Sequence, residues 1–243
     1  MIAENDFVDP AWKGVIRWGG RSLFAAGAIV VAFMLIVVVS QQTLPVPAKD
    51  MLEDPALPTA LFALAAAGEL LLMPGVLALY FALQRVGRTR MFVATALWLA
   101  AVPMFLAARG LIISVSRLSG SYADTTDATM RSAYLASAES AIEAQSILSA
   151  MGLILLSLAT ILVGWTMVAG VFDRRLAYVT IAAGVLTLPA SLEVLAGLPE
   201  AIAFVGLVLG AVWQLIAGVK LARLGREEAP SRRWSPARTV TGH

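Results

Sequence analysis

Long apolar runs, each closed by charge, proline or a polar cluster, dominate this chain, and six of them approach or exceed the ~20 residues that cross a bilayer as an α-helix. They cover roughly 23–40, 58–83, 91–115, 147–171, 176–198 and 199–221. None alternates with the period of two that a membrane barrel strand requires. The pattern predicts an all-α polytopic membrane protein built as a six-transmembrane-helix bundle. Its zones are a cytoplasmic or interfacial segment at 1–22, the helical domain at 23–221 and a basic, disordered cytoplasmic tail at 222–243.

Orientation follows from the basic residues, which are retained on the cytoplasmic side of short loops. Lys13, Arg17 and Arg21 precede the first run; Arg85, Arg88 and Arg90 join the second to the third; Arg174 and Arg175 join the fourth to the fifth. Lys220, Arg223, Arg226, Arg232, Arg233 and Arg238 follow the sixth. The opposite side holds only Lys49, Arg117 and Arg131, among Asp50, Glu53, Asp54, Asp124, Asp127, Glu139, Glu143 and Glu200. Both termini are therefore expected in the cytoplasm, in a plasma or inner membrane.

The first run is too long for the apolar core of a signal peptide, about 7–15 residues, and acidic Glu4, Asp6 and Asp9 precede it, so it reads as an uncleaved span. Trp12, Val15 and Ile16 recur at helical spacing and suggest a short helix in the headgroup region or a simple aromatic anchor. On the far side, Pro45, Pro47 and Pro55 predict an extended loop over 41–57. In the connection 116–146, Ser116, Ser119, Gly120 and Ser121 predict a turn, Asp124 or Thr125 a cap, and Asp127 with Arg131 an i,i+4 pair. A helix from there to residue 171 is longer than the bilayer, so it must project, lie flat or bend. Glu139, Glu143 and Ser146 form its polar stripe.

Composition sharpens the exclusions. Of 243 residues 59% are apolar and 14% charged, with a mean hydropathy of +0.82, far from a soluble domain. No cysteine is present, which removes disulfides, thiolate metal sites and cysteine nucleophiles. The one histidine, His243, leaves imidazole chemistry almost nothing to work with, and neither a metal nor any other cofactor is expected. The net charge of +2 is explained by topology, and no nucleic-acid partner is implied.

Charges inside spans are the strongest candidates for a site, because each is costly in lipid and defaults to a functional hypothesis. Glu69 stands 16 residues from Arg85, and Arg109 stands 19 residues from Arg90. At 1.5 Å per residue both lie about 24–28 Å above the basic ends of neighbouring antiparallel helices. They are expected to pair. Glu193, 18 residues from Arg175, is a possible second acceptor for Arg109 near the outer interface. The constellation either fixes helix register or lines a polar cavity for a solute or proton. Pro74 and Pro189 add candidate kinks beside it.

Small residues mark packing faces, since close backbone approach is what associates helices in lipid. Gly206, Gly210, Gln214 and Gly218 recur every fourth residue and are expected to face another helix, within the chain or across a dimer. Ser149, Gly152, Ser157, Thr160 and Gly164 do the same in the fourth span, with hydroxyls bonding back to helix carbonyls. Glu69 and Glu193 sit toward the same side, which argues against an inverted transporter repeat. There is no G-x-S-x-G, Walker loop, H-E-x-x-H or intramembrane Schiff-base lysine.

The run from Gly170 through Phe172, Asp173, Arg174 and Arg175 to Gly184, with the run from Trp213 to Gly225, resembles the second half of uncharacterised six-helix bacterial integral membrane proteins that share a domain of unknown function. By helix order the resemblance spans roughly 58–225; it implies the topology and supplies no activity. Three readings remain. The first is a structural or regulatory membrane subunit, with a membrane-protein partner or a second copy of itself. The second is a small-solute or proton-coupled transporter using Glu69 and Arg109. The third is a lipid-modifying enzyme, for which no metal set or activated nucleophile is visible.

Overall fold

The computed structural model describes residues 10–41, 46–170, 172–196 and 200–226, without the side chains of 10, 190–196 and 200–204. A 3-10 turn over Pro10–Trp12 leads into α1 (Lys13–Val39), followed by α2 (Ala48–Glu53), α3 (Ala56–Asp124), α4 (Ala128–Val168), α5 (Arg174–Ala196) and α6 (Glu200–Leu224). Among the described residues no strand occurs, and four helical stretches are long and apolar enough to cross a membrane: Lys13–Val39, Ala56–Asp124, Ala128–Val168 and Val205–Leu224. The chain is an all-helical membrane protein.

Helix α3 holds two of the expected spans. Its 69 residues would form a rod about 100 Å long, yet Glu69 and Arg109, 40 residues apart, are hydrogen-bonded. The rod is folded at Gly87, whose φ −159° and ψ 70° are non-helical. Glycine is a poor helix former, and here it lies where Arg85, Arg88 and Arg90 interrupt the apolar sequence. Two antiparallel arms result, residues 56–86 and 88–124. Pro74, a candidate kink, and Pro103 are both carried inside these arms, and the chain turns at Gly87. Helix α5 likewise continues through Pro189.

The helices close a ring. Helix α1 packs against α3 and α6, α3 against α4, α4 against α5, and α5 against α6. Adjacent glycines of α1 serve both its neighbours: a Cβ on Gly19 would collide with the Pro74 carbonyl oxygen and the Ala78 Cβ of α3, and one on Gly20 would come within 2.8 Å of the Gly218 carbonyl oxygen of α6. The Ser22 hydroxyl donates to the Leu71 carbonyl at 2.6 Å, adding a polar tie between α1 and α3.

The stripe of α6 does not face a single helix. Gly218 meets α1 at Gly20 and Phe24, Gly206 meets α5 at Leu186 and Thr187, and a Cβ placed on Gly210 would find open space for 4 Å around it. A four-residue step overshoots one turn by about 40°, so from 206 to 218 the stripe winds about a third of the way around the helix. In α4, Thr160 bonds back to the Leu156 carbonyl at 2.7 Å as expected, whereas the Ser157 hydroxyl has no partner.

The far end of the molecule is more ordered than its loop-like sequence suggests. The expected turn at Ser116–Ser121 is helical: Ser116 and Ser119 donate to the carbonyls of Ile113 and Ser116, so their hydroxyls are satisfied inside α3. The helix then ends at Asp124, and Asp127 caps α4 by accepting from the Thr129 N–H at 2.8 Å, displacing the expected caps Asp124 and Thr125. With that carboxylate turned to the helix start, Arg131 lies over the Tyr122 ring at 4.5 Å instead of pairing with Asp127. The prolines of 41–57 bracket a helix instead of forbidding one: Pro47 precedes the first turn of α2 and Pro55 follows its last. Pro45 lies outside the described residues.

Two apolar cores form among the described residues. The larger runs through the ring and includes Leu23, Leu79, Leu83, Trp98, Val163 and Trp213; the smaller joins Met51 and Leu52 of α2 to Phe62, Ile112, Tyr122 and Ala138. At 41 residues α4 is about 62 Å long, twice the ~30 Å hydrocarbon thickness, and its outer half belongs to this second core. At the other end the expected headgroup helix is the first turns of α1 itself. Ile16 is fully buried in the larger core and the Trp12 ring stacks on Phe81 at 3.8 Å. Residues 1–9 and the tail from 227, His243 included, lie outside the described residues.

Candidate functional site

Glu69 and Arg109 meet because folding at Gly87 places residues with a common sum of positions at a common height. Their midpoint, residue 89, lies two residues from the fold. Arg109 donates to a single carboxylate oxygen, Glu69 Oε1, from Nε at 3.1 Å and from Nη2 at 2.8 Å. The side chains retain 17% and 12% of their exposure, so the bond forms largely out of water. Charge-assisted bonds of this kind are among the stronger hydrogen bonds in proteins.

The pair marks the junction of the two cores. On the first arm Glu69 stands between Phe62 of the outer core and Leu72 of the ring core; on the second, Arg109 stands between Val102 of the ring core and Ile112 of the outer one. The Phe62 ring covers the guanidinium at 5.4 Å, an attraction between cation and ring face. Sequence reasoning missed Phe62, although it lies seven residues before Glu69, two helical turns away on the same face. The other carboxylate oxygen, Oε2, is buried without a partner. The side chain of Glu193 lies outside the described residues.

An acid and a base so joined neutralise each other. Neither is poised as a nucleophile, and among the described residues no three acidic or histidine side chains gather to hold a metal ion. The arrangement can hold two helix arms in register and seat the outer core on the ring.

The basic end carries a different polar pattern. Arg21 lies over the Trp18 ring at 5.1 Å, and Arg90 over the Trp165 ring at 5.4 Å. Both tryptophans are more than half exposed, as amphipathic rings are at a membrane–water interface. No protein-family model, curated protein or solved structure matches this chain.

Proposed function

We propose that the protein is a six-span plasma-membrane protein with both termini in the cytoplasm, and that it works as a non-catalytic subunit docking a membrane partner through its outer helical cap. Basic residues on one side, with Trp18 and Trp165 beside Arg21 and Arg90, support the orientation. The cap consists of α2 and the outer ends of α3 and α4, with Glu139 and Glu143 exposed on it. The observation that carries the reading is the Arg109–Glu69 bond. It engages the charged groups of the second and third spans with each other, at the height where the cap meets the ring, which favours a structural role over a carrier site.

The test places a photo-crosslinking side chain at Glu139 or Glu143 in living cells. One discrete adduct with a partner chain, or with a second copy, is the expected result. Absence of any adduct, together with solute uptake by reconstituted protein that Glu69→Gln abolishes, would overturn the subunit reading in favour of the carrier.

A further inference from the structure

At the basic end of the ring, the crossing of α1 and α6 gathers arginines from both helices on one outward flank. The two helices run antiparallel, because Gly20 meets Gly218 and Leu221 while Gly27 meets Ala211 and Gln214. A Cβ on Gly225 would stand 2.7 Å from the Arg17 Cβ, so the end of α6 lies against the first turns of α1. Around the α1 axis, counted from Gly20, which faces α6, Gly19 of the α3 contact lies at about −100°, whereas Arg17 and Arg21 lie at about +60° and +100°. Around the α6 axis, counted from Gly218, which faces α1, Gly206 of the α5 contact lies at about −120° and Arg223 at about +140°. Arg226 follows Arg223 by one tight turn, its N–H donating to the Arg223 carbonyl at 2.8 Å, which keeps it on that flank. On both helices the arginines turn away from the ring interior and border the same outward groove. Matched by height across the crossing, the four fall within about 10 Å along the axis.

Arg21, Arg223 and Arg226 are exposed and Arg17 is half-buried. None of the four makes an ion pair or a side-chain hydrogen bond among the described residues. Helix α1 carries no acid, and the acid of α6, Glu200, begins the far end of that helix. Glu227 and Glu228 lie outside the described residues. By contrast, Arg174 and Arg175 follow Asp173, which is exposed beside them. Guanidinium groups suit phosphate because their planar fork bonds two of its oxygens at once. The exposed Trp18 ring under Arg21 sets the height of the cluster at the headgroup level. Two turns further into the span, on the same faces as Arg21 and Arg223, Ala28 and Ile216 are exposed, so the charge gives way directly to hydrocarbon. Phosphate at one end and apolar chains beneath it are the pattern of a phospholipid, whereas a soluble acidic partner would use the charges alone.

We propose that the groove between α1 and α6 holds an anionic phospholipid, its phosphate among Arg17, Arg21, Arg223 and Arg226 and its acyl chains along Ala28 and Ile216. The proposal uses neither the cap nor the Glu69–Arg109 bond, so its failure leaves the subunit reading untouched.

The experiment takes the full-length protein in nanodiscs of equal phosphatidylglycerol and phosphatidylcholine and reads by native mass spectrometry which lipids stay bound on release. Retention of phosphatidylglycerol in clear excess over phosphatidylcholine is the expected result. A basic residue near an anionic lipid surface is worth about fivefold in affinity, so Arg21→Gln and Arg223→Gln should each lower that preference about fivefold. Arg174→Gln, beside Asp173, should leave it unaltered. Arg226→Gln, in the exposed closing turn, carries the same fivefold expectation should either of the first two variants fail to fold. The proposal is overturned if the two lipids are retained equally or if Arg174→Gln costs as much as Arg21→Gln. It is also overturned if inorganic phosphate or polyglutamate binds with that dependence on Arg21 and Arg223 while phosphatidylglycerol shows none.

Discussion

Gly20 and Gly218 lie against each other where α1 crosses α6: a Cβ on either would stand 2.8 Å from the carbonyl oxygen of the other. Close backbone approach of this kind is what holds helices together in lipid. Gly218→Val should therefore lower stability by about 1–3 kcal/mol, the usual effect of overpacking. Gly210→Ala, in the same stripe but with no atom within 4 Å of its added carbon, should leave stability unchanged or raise it. Thermal unfolding of both variants in one detergent checks the contrast, and equal losses would refute it.

The ion pair makes a coupled prediction. Glu69→Gln or Arg109→Gln alone strands a largely buried partner charge, at a typical loss of about 3–5 kcal/mol. The double variant should lose clearly less than the sum of the two. A double-mutant cycle from denaturant unfolding reads this coupling directly, and simple additivity would show that the two groups do not hold the arms of α3 together.

The cap on α4 is local. Asp127→Ala removes the acceptor of the Thr129 N–H and should cost about 0.5–2 kcal/mol. Hydrogen exchange should quicken at the first amides of α4 and stay unchanged in the ring core. Uniform acceleration throughout the chain would contradict the assignment.

Orientation is open to a clean test because the chain has no cysteine to mask. Asp127, Glu139, Arg88 and Asp173 are all exposed. Single cysteines at 127 and 139 should react with a membrane-impermeant maleimide added to intact cells, while those at 88 and 173 should react only after lysis. The reverse pattern would invert the topology, and labelling of all four from outside would dismiss the spans.

The meeting of Glu69 with Arg109 was legible in the sequence because a short turn between two antiparallel helices makes distance from the turn a measure of depth. The ends of α3 and α4 around α2 were not. Ser116 and Ser119 resemble turn residues, yet each hydroxyl finds a carbonyl within its own helix, and no one-dimensional pattern states which partner a hydroxyl will take. The tilted contact of the Trp98 and Trp213 rings was equally hidden. Trp98 and Trp213 are 115 positions apart.

The sequence by itself determined the apolar helices, their breaks at charge and the asymmetry of basic ends, because hydropathy and charge act residue by residue against the surrounding solvent. Tertiary structure alone decided which neighbour each glycine met, that the ends of α3 and α4 joined α2 in a second core, and that the rings of Trp98 and Trp213 meet. Those depend on how far each helix is rotated about its axis when the ring closes, a quantity fixed by all the packed side chains together.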